Sequence, residues 1–391
     1  MATDPICKKS INEKTAKFKS QLEGEVYYFC GAECKRRFEG IKRTKVRIKD
    51  FLKNEEILKN PFGRLYVEII KPSVCSLCGA CVASCPIDVL DIVDNAPKLI
   101  GKCIACGVCY NQCPKTITNE IELIGRFNEA YTAKTMLPDV EGQDGGAVTS
   151  VLIFALEEGL IDSAVVTVKT GGNPWEAVPK VVETREELVK ASGSVFSHSI
   201  TIRALVEAIE RGSYSVGFVG TPCNIEAVHK MQTSPYGLLH LFMRANVLKL
   251  GLMCMDSFEY SALRDFLEEK GVDLKAIEKM EIRKGKLKVT SDRGEMLFGL
   301  RELDKLRSNS CMFCNDFASE KADISFGNVG SSEGYTTVLT RSALGSTIFH
   351  EAVDSGYIAA EPLERSGLEK VLNLAKMKKI QLYTIHRRGQ K

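Results

Sequence analysis

Cys75-Ser-Leu-Cys78-Gly-Ala-Cys81-Val-Ala-Ser-Cys85-Pro86 and, after sixteen intervening residues, Cys103-Ile-Ala-Cys106-Gly-Val-Cys109-Tyr-Asn-Gln-Cys113-Pro114 repeat one pattern, C-x2-C-x2-C-x3-C-P. Thiolates two residues apart wrap three corners of an iron–sulfur cube in a single loop, and the fourth cysteine of each run ligates the other cluster. The spacing therefore predicts one [4Fe-4S] cluster on Cys75, Cys78, Cys81 and Cys113, and a second on Cys103, Cys106, Cys109 and Cys85. Gly79 and Gly107 permit tight turns between ligands. Pro86 and Pro114 turn the chain away after each run. A tetrahedral zinc site takes four ligands and does not account for two matching runs of four. The chemistry is single-electron transfer.

Seven further cysteines fall into two groups. Cys7, Cys30 and Cys34 precede the runs. Spacing lets Cys30 and Cys34 share a helical face, with Cys7 brought alongside by a hairpin. Three soft thiolates suit zinc or a similar thiophilic ion, with Asp4 or a water as a fourth ligand. Asp4-Pro5-Ile6-Cys7, Tyr27-Tyr28-Phe29-Cys30-Gly-Ala-Glu-Cys34 and Phe38 together resemble the small YHS/TRASH metal-binding module. A basic run follows, from Lys35 to Lys49, which reads as a solvated helix face or as a docking patch for an acidic partner. The late group is Cys223, Cys254, Cys311 and Cys314. Cys223 follows a predicted strand, Cys254 ends another, and Cys311-Met-Phe-Cys314 is a C-x2-C. Functional loops gather at the carboxyl ends of strands in an α/β sheet, so these four either converge as a third [4Fe-4S] site or are core thiols.

Resemblance bears on that choice. Glu141-Gly142-Gln143-Asp144-Gly145-Gly146-Ala147-Val148-Thr149, Gly193-Ser194, Gly220-Thr221-Pro222-Cys223, Gly251-Leu252-Met253-Cys254, Cys311-Met-Phe-Cys314-Asn-Asp-Phe and Ala322-Asp323-Ile324-Ser325-Phe326-Gly327-Asn328-Val329-Gly330-Ser331 run in an order similar to the beta-subunit family of the coenzyme F-420-reducing hydrogenases. The likeness spans about 73 to 360. It implies an FAD site at Gln143, Asp144, Gly145, Gly146, Thr149, Gly193, Ser194, Ser199, Gly220, Thr221, Pro222, Asn224, Asn328, Gly330 and Ser331. It also implies a third [4Fe-4S] cluster on the four late cysteines, and coenzyme F-420, a deazaflavin hydride carrier, as substrate. The residues agree. Gln143-Asp144-Gly145-Gly146 precedes a helix whose amides suit a pyrophosphate, although the segment taken alone also reads as a plain glycine-rich loop and helix cap. Against the family pattern, Val195-Phe196 follow Gly193-Ser194 where relatives carry Lys and Tyr, and Asn224 and Asn328 replace Gln and Asp.

Other residues carry less. Trp175, His198, Ser197 and Lys169 read either as cofactor contacts or as ordinary packing and surface groups. His229 and His240 have no metal-spaced partners. No Ser/His/Asp arrangement with a nucleophile elbow is present, so the catalytic step rests on FAD.

These residues need elements to hold them. VTSVLIFALEEG (148–159) and ITIRALVEAIERG (200–212) have helical periodicity, while DSAVVTVK (162–169), SVGFVG (215–220) and KLGLMC (249–254) read as buried strands. KGKLKVTSDRGEM (284–296) reads as a hairpin, and the C-terminal LEKVLNLAKMKKIQLYTI as a closing helix. The alternation predicts an α/β flavin-binding domain with a mixed sheet, after a 2[4Fe-4S] ferredoxin-like domain and a small Cys-rich module. The expected boundaries are 1–45 for the YHS/TRASH-like module, 46–65 for a basic linker, 66–122 for the ferredoxin-like domain and 123–391 for the FAD and [4Fe-4S] domain.

Composition sets the outer limits. The 391 residues are 44% hydrophobic and 26% charged with a formal charge of +3, too small by itself to argue for nucleic acid, and no nucleic-acid partner is expected. No apolar run reaches a membrane span, and MATDPICKKS lacks a signal-peptide core. The fifteen cysteines, eleven of them within the first 113 residues, then read as metal ligands in a cytoplasmic protein. The expected function is an oxidoreductase subunit passing hydride between coenzyme F-420 and FAD, and single electrons through clusters to or from a partner subunit. The alternatives are a ferredoxin-dependent reductase of an organic substrate, or a non-catalytic relay or metal sensor.

Overall fold

The computed structural model describes residues 1–22, 24–40, 60–169, 173–283 and 285–384. They form two compact units, Met1–Thr118 and Asn119–Lys391.

In the first unit, β1 (Ala2–Thr3) and β2 (Ser10–Ile11) pair antiparallel around the turn that carries Cys7. β3 (Phe18–Leu22) and β4 (Glu25–Phe29) form a hairpin that delivers Cys30 to the foot of α1, which spans 32–40. Cys30 thus precedes the helix instead of sharing its face with Cys34, and the hairpin end, not helical spacing, brings the two together. Phe29 and Phe38, both buried, meet with ring centroids 5.1 Å apart and form a small core under the turn.

Most of the expected linker, 46–59, lies outside the described residues, as does the basic run beyond residue 40. Pro61–Leu65 are not linker: they form α2, capped by Asn60 and continued by a π-helical turn, Tyr66–Ile70. Pro61, Leu65 and Ile69 are buried. Two four-residue helices follow, α3 (Ala80–Ala83) and α4 (Val108–Asn111), separated by the hairpin of β5 (Leu90–Val93) and β6 (Ala96–Leu99). Each helix starts after a glycine at positive φ, Gly79 at 76° and Gly107 at 81°.

The second unit is an α/β body. In chain order it contains α5 (Glu120–Ile124), β7 (Glu129–Thr135), α6 (Ala147–Glu157), β8 (Ser163–Lys169), β9 (Ala177–Val182), α7 (Arg185–Lys190) and α8 (Thr201–Glu210). Then come β10 (Ser215–Gly220), α9 (Pro222–Thr233), α10 (Leu238–Leu241), β11 (Asn246–Leu252) and α11 (Tyr260–Glu269). A meander of β12 (Ile277–Arg283), β13 (Lys286–Ser291) and β14 (Gly294–Gly299) leads into α12 (Leu300–Leu303). The unit closes with β15 (Ile324–Gly327), β16 (Thr336–Thr340), α13 (Ala343–Asp354), β17 (Ile358–Pro362) and α14 (Arg365–Ile380).

Eight of these strands make one mixed sheet in the order β17-β7-β16-β15-β11-β10-β8-β9. Its centre, β15-β11-β10-β8, is parallel, and the outer pairings are antiparallel. Strand alternation sorts the core into two layers. Leu248 and Leu250 of β11 pack with Val151, Leu152 and Phe349 of α6 and α13. Val216 and Phe218 of β10 pack with Ala204, Leu205 and Ile225 of α8 and α9 on the opposite face. The meander has its own core of Met280, Leu287, Val289 and Phe298 against Leu263 and Leu267 of α11.

The elements expected at 148–159, 162–169, 200–212 and 215–220 are α6, β8, α8 and β10. The strand expected at 249–254 starts earlier, at Asn246, and stops at Leu252, so Cys254 lies in the following loop. Burial of Val247 and Leu248 extends it. The expected 284–296 hairpin is β13 with β14, and β12 adds a third strand that the sequence pattern did not reveal.

Candidate functional site

In the first unit, one cavity is lined by Cys85, Cys103, Cys106 and Cys109, with Pro61 and Ile104 at its wall. Another is lined by Cys75, Cys78, Cys81 and Cys113, with Leu65 and Leu77. Each brings the fourth cysteine of one run together with the first three of the other. The backbone is strained at matching points of the two runs: Leu77 and Ala105, each just before a second cysteine, hold φ of 54° and 55°. Such a conformation costs on the order of 1 kcal/mol for a residue with a side chain, and persists where the surroundings over-determine it. Main-chain amides reach the sulfurs, Val89 to Cys85 at 3.4 Å and Ala105 to Cys103 at 3.3 Å. Burial pushes the Cys109 thiol up to about 12 and raises Cys81 and Cys106. Thiols in such apolar pockets ionise only with a cationic centre among them, which fits an iron–sulfur cube.

A separate thiol group occupies residues 1–40. One ligand atom each from Asp4, Cys7, Cys30 and Cys34 lies within 4.8 Å of all the others. The Cys7 and Cys30 sulfurs are 3.4 Å apart, and those of Cys30 and Cys34 3.8 Å. Asp4 is fully buried. Its Oδ1 accepts from the amides of Ile6 (2.8 Å) and Cys7 (3.2 Å), and its Oδ2 from that of Cys30 (2.8 Å). Burial opposes its ionisation, but those amides prevail and hold the carboxyl far below the usual range. The carboxylate therefore knits the two thiol-bearing turns together. Cys7 and Asp4 beside it push the Cys30 thiol up to about 12, the behaviour of a crowded anionic group that a thiophilic cation would relieve.

In the second unit, the carboxyl ends of β7, β8, β10, β11 and β15 share one edge of the sheet, as their pairings require. Loops at this edge hold Gln143 to Gly146, Lys169, Gly220 to Asn224, Cys254, and Asn328 to Ser331. Cys223 is the second residue of α9; Cys311 lies in the 3-10 turn Asn309–Phe313, with Cys314 next to it. Cys311 is buried, Cys254 and Cys314 are half-buried, and Cys223 is exposed. Burial raises the Cys254 thiol strongly, and the charges of Cys311, Cys223 and Cys314 are all felt there. The four late cysteines therefore converge. Ser257 donates its amide to the Cys311 sulfur at 3.4 Å, and Cys254 donates its amide to Phe317 at 2.9 Å.

Around the cysteines the structure supplies groups that the sequence reading missed. Lys378 of α14 is buried, and its ammonium favours the thiolate forms of Cys254, Cys311 and Cys314 against their burial. Gln381 donates to the carbonyls of Cys311 (2.9 Å) and Cys314 (2.7 Å). Arg307 pairs with Asp256 at 3.2 Å. One signal was available: the apolar stripe Leu368, Val371, Leu372, Ala375 of α14 continues at 378 with a lysine.

The implied flavin contacts divide into committed and open groups. Gln143 donates to the Met280 carbonyl at 3.0 Å, and Asp144 is bound by Arg283. A Cβ on Gly145 would stand 2.4 Å from the Ala133 carbonyl oxygen, so that glycine is required by the sheet itself. Gly146 caps α6, and Thr149 lies in its first turn. The Thr221 hydroxyl donates to Asn224 (2.8 Å) and lies 3.1 Å from the Cys223 sulfur. Pro222 is the first residue of α9, after Gly220 closes β10. The Ser331 hydroxyl pairs with that of Thr337 at 2.7 Å, Gly330 packs against the Gly367 carbonyl, and Asn328 reaches the Ile282 carbonyl at 3.5 Å. Ahead of α8 the pattern reverses. Ser197, Ser199 and Thr201 follow Gly193 and Ser194, and their buried hydroxyls have no hydrogen-bond partner among the described residues. Polar atoms left dry cost about 1–3 kcal/mol each, and a polar ligand such as FAD would satisfy them. Lys169 lies beside Gly193 with its ammonium 4.1 Å above the Trp175 ring.

Comparison with known proteins matches residues 130–206 to the model described as "Coenzyme F420 hydrogenase/dehydrogenase, beta subunit N-term" and residues 214–366 to its C terminus. Residues 68–118 match a 4Fe-4S dicluster domain. A coenzyme F420 hydrogenase subunit beta from Methanothermobacter thermautotrophicus is 34% identical over 263 residues, covering 66% of this chain and 93% of that protein. A coenzyme F420-dependent sulfite reductase from Methanocaldococcus jannaschii is 35% identical over 326 residues; the match covers 80% of this chain and 50% of that protein. This chain thus spans about half the length of that relative. A chain of the F420-reducing [NiFe] hydrogenase complex from Methanosarcina barkeri superimposes with a TM-score of 0.64 at 34% identity, covering 68% of this chain and 94% of the other. With one body carrying paired cysteine quartets and the other a mixed sheet whose loops gather four more, the chain belongs to the coenzyme F420 hydrogenase/dehydrogenase beta-subunit family.

Proposed function

We propose that this chain is an iron–sulfur flavoprotein subunit that moves electrons between coenzyme F-420 and a redox partner subunit. The observation that carries the reading is the convergence of Cys223, Cys254, Cys311 and Cys314 at the sheet edge that also carries the small-residue loops. Those cysteines hold a third [4Fe-4S] cluster. Gly145, Gly146 and Thr149 at α6, Gly193, Ser194 and Ser199 ahead of α8, Gly220, Thr221, Pro222 and Asn224 at α9, and Asn328, Gly330 and Ser331 after β15 hold FAD, with Gln143 and Asp144 fixing the first loop. Bound FAD supplies the conversion between hydride exchange with a deazaflavin, an obligate two-electron carrier, and single-electron transfer. The side chains orient and enclose; none acts as acid or base. The eight cysteines of the first unit hold two clusters that serve the partner, and Cys7, Cys30 and Cys34 hold one zinc or similar thiophilic ion.

The relatives support the electron-transfer reading, since hydrogenase and dehydrogenase subunits named for F420 are among them. Anaerobic reconstitution is expected to give about 12 iron atoms per chain, and a bound flavin reduced by reduced F-420 but not by NADH. An iron ceiling near 8 removes the late cluster. Reduction by reduced ferredoxin, with F-420 inert, favours instead a ferredoxin-dependent reductase.

A further inference from the structure

We propose that Lys378 is the positioning residue of the late four-cysteine site, supplying a fixed positive charge that raises the reduction potential of the cluster held there. The inference rests on the third-cluster reading above. Lys378 is 1% exposed. It stands on the inner face of α14, where the stripe through Leu368, Val371, Leu372 and Ala375 calls for an apolar residue. Its ammonium donates to the carbonyls of Met255, next to Cys254, and of Cys311 (3.2 Å). One residue beyond the end of α14, Gln381 holds the carbonyls of Cys311 and Cys314. The helix therefore clasps the main chain at three of the four ligands.

The surrounding charges leave the ammonium in excess. Asp256 is one carboxylate between two cations, its Oδ1 3.6 Å from Lys378 and its Oδ2 3.2 Å from Arg307. Asp316, the carboxylate beside Cys314, and Glu320, which pairs with Lys379 at 2.6 Å, together face Arg341 and Lys379, so these two acids and two bases balance. An electron passed from the flavin to a thiolate-ligated cluster deepens that cluster's negative charge, and a buried cation favours the reduced form. Hydrogen bonds to carbonyls alone would be met by a neutral amide. An apolar side chain would fill the space. A buried ammonium adds charge, which neither supplies.

The test compares Lys378→Gln, neutral but able to donate, with Lys378→Arg in the full chain. Iron content is measured, and the cluster potentials are titrated by electron paramagnetic resonance. The late signal is identified by its loss in Cys223→Ala. Lys378→Gln is expected to weaken reduction of that cluster about tenfold, or about 59 mV for one electron, leaving the other two signals in place. Lys378→Arg is expected to stay within about threefold of the parent. Loss of about four iron atoms in Lys378→Gln but not in Lys378→Arg supports the same role. An unshifted late signal in Lys378→Gln, or equal damage in both variants, overturns it. A parent chain with about 8 iron atoms and no third signal overturns the cluster reading itself, and the lysine's role with it.

Discussion

Asp4 illustrates how one side chain sets up a site without relying on direct ligation. Its two oxygens accept three amides from the two turns that present Cys7 and Cys30. Asp4→Ala leaves those amides without their acceptor, at about 1–3 kcal/mol for each group not reached by water. The variant is expected to lose the thiophilic ion, while iron in the paired cysteine runs is unchanged by elemental analysis. Cys7→Ser, which removes a thiol instead, should give the same metal loss with the turns intact by circular dichroism. In the second unit, Cys223 is exposed on the first turn of α9. Cys223→Ala is expected to lower iron by about four atoms per chain and to leave a flavoprotein that accepts hydride but passes electrons on slowly. Full iron with unimpaired transfer would return Cys223 to the status of an ordinary thiol.

Elements fix what single residues cannot. Gly145 fits between the Ala133 carbonyl and the Thr336 amide, so β7 and β16 leave no room for a Cβ. Gly145→Ala is expected to destabilise the second unit by about 1–3 kcal/mol or more through overpacking. Thermal unfolding should show it as a drop of several degrees. Arg341, just past β16, binds elements distant in sequence: it donates to Ser325 (2.6 Å), Ile124 (2.8 Å), Arg126 (2.9 Å) and Ala318 (2.8 Å). Arg341→Met keeps the bulk and strands three carbonyls, an expected loss of about 3 kcal/mol or more in denaturant titration. Neither residue touches a cysteine, so both variants should retain whatever iron folds with them.

At the scale of the whole molecule, the proposed function assigns the first unit and the second separable steps. Cys78→Ser is expected to remove one cluster of the first unit and slow delivery to an external acceptor, while reduction of the flavin by reduced F-420 survives; equal failure of both steps in a folded variant counts against that division. Sequence alone determined the local chemistry. Two runs of C-x2-C-x2-C-x3-C define their ligands because the spacing is shorter than the object they wrap, and α6, α8, β8 and β10 follow from apolar periodicity that any fold must bury. Tertiary structure decided the rest. Cys223, Cys254, Cys311 and Cys314 are separated by up to 91 positions; parallel pairing of β10 and β11 brings the first two to one edge, and the Phe317 carbonyl on the Cys254 amide with Ser319 on the Leu252 carbonyl seats the Cys311–Cys314 turn beside them. Pairing of β7, β16 and β17 across more than two hundred residues leaves no short-range trace. Lys378 was visible as a lysine in an apolar stripe, but what it faces was not, because a helix pattern states which side is buried and only packing states against what.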